Sequence, residues 1–217
     1  DRVGLVATGV GWPCSSRSRL HVVIGRDVNA ASPPSLTIGS ASIEAIASAL
    51  LGQGIWLDVG AVTMCVAGNA ADLASQIQAV YGHFPFVTRS DWADVHGRID
   101  RADGLRRWIR PQVMMSSDGK VMFEPFPASS PLPLMEWGFN WLVGQRINQF
   151  LLLHAGLLER DGQALVLPAT PGSGKSTLSA ALALRGWRLM SDEFGAFDPQ
   201  TGRFRAILKP VALKNES

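Results

Sequence analysis

The sequence predicts an α/β protein in which a smaller α+β domain precedes a strand, loop and helix domain, and three observations carry that prediction. An apolar strand-type run, Ala164 to Leu167, leads into the Gly-rich ATPGSGKST and then into helix formers from Thr177 to Leu184. A second strand-like run, Trp187 to Met190, follows and ends at Ser191-Asp192-Glu193. Upstream, IWLDVGAVTMCV alternates in β fashion, with Ile55, Leu57 and Val59 before Gly60 and Val62, Met64 and Val66 after it. The 217 residues, 47% hydrophobic and 18% charged, suffice for one large core or two small ones.

Composition excludes several function classes. Twenty Lys and Arg against eighteen Asp and Glu leave a formal charge of +2, which argues against nucleic-acid binding by bulk charge. Cys14 and Cys65 are too few for a disulfide scaffold or a thiolate metal cluster, and a reducing, cytoplasmic setting is the default. No window reaches the roughly eighteen apolar residues of a membrane span, since His154 interrupts the richest run, Phe150 to Leu158. The opening DRVGLVATGVGWPCSSRSR has no signal-peptide pattern, and LKPVALKNES closes no recognisable element. A fragment of a longer polypeptide, with the last domain incomplete, is the expectation.

Residues 1–53 remain unassigned, although ASIEAIASALL at 41–51 spaces Ile43, Ile46, Leu50 and Leu51 as a short helix would. Residues 54–130 form the expected α+β domain. There AADLASQIQAVYG places Leu73, Ile77, Val80 and Tyr81 on one helical stripe, with Asn69 as N-cap and Gly82 as stop. Strands are expected around DVHGRI, PQVMMS and KVMFEPF, and Asp118-Gly119 supplies the left-handed backbone of a tight hairpin between the last two. Arg98, Arg101, Arg106, Arg107 and Arg110 have little acid between them; they are either a solvated face or a docking surface for an acidic partner. Pro131 and Pro133 mark the start of the 131–217 domain. The segment from Leu134 to Ile147 reads as a buried helix whose Trp137 and Trp141 fill an interior.

The loop carries the chemistry. Ala169 stands where the standard phosphate-binding pattern, Walker A, has Gly; Thr170, Pro171, Gly172, Ser173, Gly174, Lys175, Ser176 and Thr177 follow in register. Gly172 and Gly174 adopt dihedrals closed to other residues and leave no Cβ between backbone N–H groups and phosphate oxygens. Lys175 brings a mobile point charge to the β- and γ-phosphates, and Ser176 opens a helix whose free N–H groups attract an anion and whose hydroxyl can ligate Mg²⁺. ATP with Mg²⁺ is therefore the expected ligand. Asp192 and Glu193 lie where the next strand, taken as parallel, would end beside the loop. One carboxylate can hold the metal and the other can take a hydroxyl proton only if the backbone kinks between them. His154, in LLLHAG, is either a core histidine or, at the strand's end, a group that orients the γ-phosphate or the carboxylates.

HAGLLERDGQALVLPATPGSGKSTLSAALALRGWRLMSDEFG resembles the catalytic domain of the bacterial HPr kinase/phosphorylases. It is more similar to HPr-kinase-related proteins of the kinase A type, which are encoded beside small PqqD-like peptide-binding proteins. That likeness runs over roughly residues 54–217 and includes GLRRWIRPQV, LPLMEWGFNWLV and KPVALKNES. It implies a phosphoenolpyruvate-carboxykinase-like P-loop fold with a mixed sheet, and ATP-dependent phosphorylation of a serine hydroxyl on a small protein or peptide. The family's centre falls on His154, Lys175, Ser176, Asp192 and Glu193, with Glu193 replacing an Asp. Asp192 would join Ser176 at the metal, Glu193 would act as base, and Lys214 and Asn215 are candidates for closing the site. The phosphocarrier-recognition pattern is not recognisable in GRFRAILKPVALKNES, so a different, PqqD-associated partner is expected, in a homo-oligomer. Two other functions use the same loop: a nucleotide hydrolase or switch, and a catalytically weak nucleotide-binding module in a peptide-modification system.

Overall fold

The computed structural model describes residues 5–8, 19–22, 36–103, 109–170 and 172–211. They form a mixed α/β fold of two compact units. A middle unit comprises 33–58 and 62–147, and a terminal unit comprises 1–32, 59–61 and 148–217. Each unit holds one open sheet, and β1 (Leu5–Thr8) and β2 (Arg19–Val22) form a separate antiparallel pair.

In the middle unit, α1 (Ile43–Leu51) starts where the Ser42 hydroxyl accepts the Ala45 N–H, a conventional N-cap. The sheet contains β3 (Ile55–Asp58), β4 (Thr63–Ala67), β5 (Val95–Arg101), β6 (Gln112–Ser117) and β7 (Lys120–Val121), with β8 (Phe126–Pro127) also on β6. All its pairs are antiparallel except β4 with β5, which are joined through α2 (Leu73–Tyr81). Between β6 and β7, Asp118 and Gly119 take φ of 51° and 73°, the backbone a two-residue hairpin requires. Alternation along β5 and β6 sends Val95, Ile99, Val113 and Met115 inward, where they are fully buried, as are Ile77, Tyr81 and Phe139.

Three local expectations change. Asn69 does not cap α2: its side chain accepts the Arg101 N–H at 2.8 Å and its own N–H donates to Asp100 at 3.0 Å, so it ties the loop to β5. Asp72 occupies the cap position in left-handed backbone without a side-chain bond. The second change concerns α3 (Pro131–Arg146), which packs on β5 and β6 and so joins the middle unit, although the sequence boundary at 130/131 grouped it with the loop. The third concerns its tryptophans. Leu134, Met135, Gly138, Phe139, Leu142 and Val143 form the buried stripe, which leaves Trp137 and Trp141 on the flank, 46% and 47% exposed. There they meet Phe123, with ring centroids at 4.1 and 5.8 Å.

The terminal sheet is built around β9 (Leu151–Arg160). Along one edge it pairs with β10 (Gln163–Pro168); along the other it pairs first with β12 (Phe194–Asp198) and then with β11 (Arg188–Ser191), and β13 (Arg203–Arg205) continues from β12. Asp161 and Gly162, at φ 52° and 77°, make the turn between β9 and β10. Helix α4 (Lys175–Ala183) connects β10 to β11 and covers Leu158, Leu189 and Val211, with Leu167, Leu182 and Trp187 at the margin. Burying Leu158 completely is worth about 2 kcal/mol. Both β10 and β11 run antiparallel to β9, so they are parallel to each other but not adjacent. β9 lies between them. Pro168 stands opposite Ala155 and Ser191 opposite Leu157, so both strands nevertheless end near the same part of β9, two residues apart along it.

Candidate functional site

Between Pro168 and α4 the chain turns through Gly172 and Gly174, at φ 83° and 85°. A Cβ on either would meet nothing within 4 Å, so the space in front of this backbone is open. The turn is held by Ser173, whose N–H and hydroxyl donate to the Thr170 carbonyl at 3.2 and 2.7 Å. Gly174 is the N-cap of α4 and no side chain caps the helix, which leaves the first-turn N–H groups for another acceptor. Ala169 is half-buried, Thr170 and Thr177 are exposed, and Ser176 is half-buried at the first turn. Pro171 lies outside the described residues.

Lys175, the first residue of α4, points back across the strand ends. Its ammonium donates to the backbone carbonyl of Asp192 and lies 3.7 Å from that residue's Oδ1. The two side chains are only 11% and 10% exposed. Oδ1 of Asp192 is buried without a hydrogen-bond partner, so this carboxylate retains accepting capacity that the protein does not use.

The register of β11 explains why Asp192 faces α4. Arg188 opposes Glu159 and Leu189 opposes Leu158, but Ser191 opposes Leu157, so Met190 is an extra residue, a β-bulge. The Ile207 N–H donates to the freed Met190 carbonyl at 3.0 Å. A regular strand would have turned Leu189, Ser191 and Glu193 to the α4 face; the bulge turns Leu189 and Asp192 there instead. The chain bends at Asp192 and Glu193 and pairing resumes with Phe194 opposite His154. Glu193 stays 45% exposed, with Oε1 3.9 Å from Nδ1 of His154, itself 52% exposed. The Phe194 ring stands edge-on to His154 at 6.3 Å.

His154, Gly156 and Leu158 share the α4 face of β9. Gly156 permits the approach of the helix, because a Cβ there would lie 2.6 Å from Oγ of Ser179 and 3.5 Å from Cγ of Lys175. The structure thus brings Lys175, Asp192, Glu193 and His154 together at one end of the sheet, beside the loop. Sequence reasoning missed Gly156, Met190 and Ser191. A glycine inside the apolar run LLLHAGLL was a usable signal for close backbone approach; the bulge had none.

The remaining candidates are elsewhere. Arg98 is spanned by Asp100 through two bonds of 3.2 Å and is therefore paired rather than free. Arg106, Arg107, Lys214, Asn215 and Cys14 lie outside the described residues. Cys65 is buried, and burial pushes its thiol up to about 11 despite the opposing charge of Arg98. Among the described residues no group of three or more His, Cys, Asp or Glu side chains is arranged to hold a metal, and no helix is long and apolar enough to cross a membrane.

Fold and site together define an open-sheet α/β unit with a glycine loop at a helix N-terminus and a lysine and carboxylate pair behind it. No family model matches the chain, and no solved structure does. Among curated proteins, an apolipoprotein N-acyltransferase from Prochlorococcus marinus (strain MIT 9313) is 34% identical over 100 residues, covering 40% of this chain and 19% of that protein. The chain therefore spans about a fifth of that relative's length.

Proposed function

We propose that the terminal unit is an ATP- and Mg²⁺-dependent, HPr-kinase-like serine kinase with a phosphoenolpyruvate-carboxykinase-like nucleotide-binding architecture. Its substrate is the serine hydroxyl of a small protein or peptide. The observation that carries this reading is Lys175, placed after two left-handed glycines at the start of α4 and directed onto Asp192. The open backbone at Gly172 and Gly174 fits a phosphate chain, and the unsatisfied Oδ1 of Asp192 fits a cation or one of its water ligands.

In this reading the loop N–H groups from Gly172 to Lys175 hold the β-phosphate. The Lys175 ammonium has three donors, so it can keep one on the Asp192 carbonyl and give the others to the transferring group. Ser176 and Asp192 would hold Mg²⁺, which when bound would neutralise charge developing on the phosphates. Glu193, exposed and free of the lysine, takes the proton of the incoming hydroxyl. His154 orients that carboxylate. Most of the rate comes from alignment and charge neutralisation. A PqqD-associated acceptor, a homo-oligomer and a cytoplasmic setting belong to the same reading. The exposure of His154 and Glu193 favours one second reading, in which water replaces serine and the unit is a nucleotide hydrolase or switch.

Incubation with γ-labelled ATP, Mg²⁺ and the small proteins encoded beside the gene, followed by mass spectrometry, separates these readings. A labelled serine supports the kinase, and free phosphate alone supports the hydrolase. Lys175→Ala should reduce transfer by at least about a hundredfold; equal ATP affinity and equal turnover would reject both.

A further inference from the structure

We infer that Ser191 is a positioning residue that divides the labour of the two carboxylates. It is 2% exposed and its hydroxyl oxygen accepts two backbone N–H groups, from Glu193 at 3.3 Å and from Phe194 at 3.1 Å. These bonds close a tight turn directly after the bulge at Met190. Within that turn the chain changes from a strand paired on one half of β9 to a strand paired on the other half.

The turn has two consequences for the side chains it carries. Asp192 is held inward, 10% exposed and beside Lys175, while its neighbour Glu193 is held outward, 45% exposed and beside His154. Adjacent residues of an extended strand already face opposite ways, but they lie about 3.4 Å apart along the sheet and each is surrounded by its own neighbours. Here both have to address one reaction centre, and the bend at 192–193 permits it. Without the serine oxygen, two part-buried N–H groups lose their acceptor and the bend relaxes toward either of its flanking strands. The loop and α4 do not depend on it; the Asp192 carbonyl that Lys175 binds shares a peptide group with the Glu193 N–H and so is held by the same turn. Ser191 touches neither nucleotide nor acceptor; it acts through Asp192 and Glu193.

This inference rests on the phosphoryl-transfer reading for its kinetic consequence, but not for its structural one, and the test keeps the two apart. Ser191→Ala removes the acceptor; Ser191→Thr retains it and suits a strand. Amide hydrogen exchange at Glu193 and Phe194 should be about tenfold faster in Ser191→Ala than in the wild type and restored in Ser191→Thr, whether or not the protein transfers phosphate. In the kinetic assay, Ser191→Ala should bind ATP without Mg²⁺ within about twofold of wild type, lose most of the Mg²⁺-dependent gain, and transfer at least about tenfold more slowly through kcat; Ser191→Thr should recover transfer. Unchanged exchange in Ser191→Ala overturns the inference, as does equal failure of both variants in exchange and transfer. A wild type that neither binds nor transfers, with the exchange pattern as expected, refutes the kinase reading and leaves the structural role of Ser191 standing.

Discussion

The two open sheets treat their buried polar groups differently. In the middle unit the polar side chains that enter the packing between helices are matched. The Tyr81 hydroxyl donates to Glu136, the Gln76 carbonyl accepts the Leu132 N–H at 3.2 Å, and the Gln78 amide donates to the Ala41 carbonyl at 2.7 Å. Burial and the Glu136 carboxylate both push the Tyr81 phenol well above its usual range, which keeps it a donor at any ordinary pH. Trp56 Nε1 is the exception among the described residues of that unit. Among the described residues of the terminal unit the unmatched atoms are Oδ1 of Asp192 and Oγ of Ser179, and both belong to the small region where α4 crosses the strand ends. Matched polar groups in a core serve stability, because an orphaned one costs about 1–3 kcal/mol. Unmatched ones beside an open glycine loop are what the proposed phosphate and cation site would use.

The largest effect that would break this comparison is expected at the carboxylates. Asp192→Asn keeps the side-chain volume but leaves the largely buried Lys175 ammonium without its counter-charge, so it should cost about 3–5 kcal/mol of stability, and transfer is read on the folded fraction. Transfer should nevertheless fall by about a hundredfold, equivalent to about 2.7 kcal/mol in the barrier, together with a higher Mg²⁺ requirement. Glu193→Gln should bind Mg·ATP nearly normally and fail in transfer, because an amide cannot accept the proton. Paired Mg²⁺ titrations and single-turnover assays, with chemical denaturation of each variant, read all of this. Near-normal transfer per folded protein in Asp192→Asn would place Asp192 among the structural polar groups, and near-normal transfer by both variants would return the pair to a solvated bend.

A smaller effect of opposite kind is expected in the middle unit. Tyr81→Phe removes the donor to Glu136 from a fully buried site without changing the ring, and should cost about 1–2 kcal/mol of stability. Transfer measured well below the melting temperature should not move. If Tyr81→Phe instead proves neutral in denaturant melts, the matched bonds of the middle unit are not what distinguishes the two sheets.

How far this contrast was legible before the structure depends on the kind of signal. Local chemistry was readable: Ser42 before an apolar stripe, Asp118-Gly119 between strands, and GSGKS between a strand and a helix each state their backbone requirement in the residues themselves. Topology was less readable. The antiparallel β9 inserted between β10 and β11 leaves no trace in the run from Ala164 to Met190, because strand pairing is set by which neighbour buries which face. The same limit applies to α3, whose apolar residues suit either sheet and whose tryptophans fall just off the buried stripe. At the site, the residue types of Lys175, Asp192, Glu193 and His154 could be named, but not their division into a buried pair and an exposed pair. That division follows from one extra residue in β11, and bulges have no composition of their own.

The smallest expected effect tests whether the unmatched groups are confined to the loop end of the terminal sheet. At the opposite end of β9, Glu159 accepts the Gly162 N–H at 2.7 Å and the Arg188 guanidinium at 2.8 Å. The Gly162 bond is the main reason its carboxyl lies below its ordinary value; partial burial opposes the shift and Arg188 adds to it. Because the folded pKa is depressed, the stabilisation is fully present above the unfolded value, about 4.5, and is lost as the pH falls through the folded one. Arg188 is 39% exposed, so solvent screening limits the contribution to at most about 1 kcal/mol. Glu159→Gln should therefore melt a few degrees below wild type at neutral pH, and the gap should narrow at pH values well under that carboxyl's ordinary range. A gap that persists unchanged in acid would mean that Glu159 acts through packing rather than charge. A variant that melts above wild type at neutral pH would mean that this end of the sheet carries a carboxylate the fold does not need.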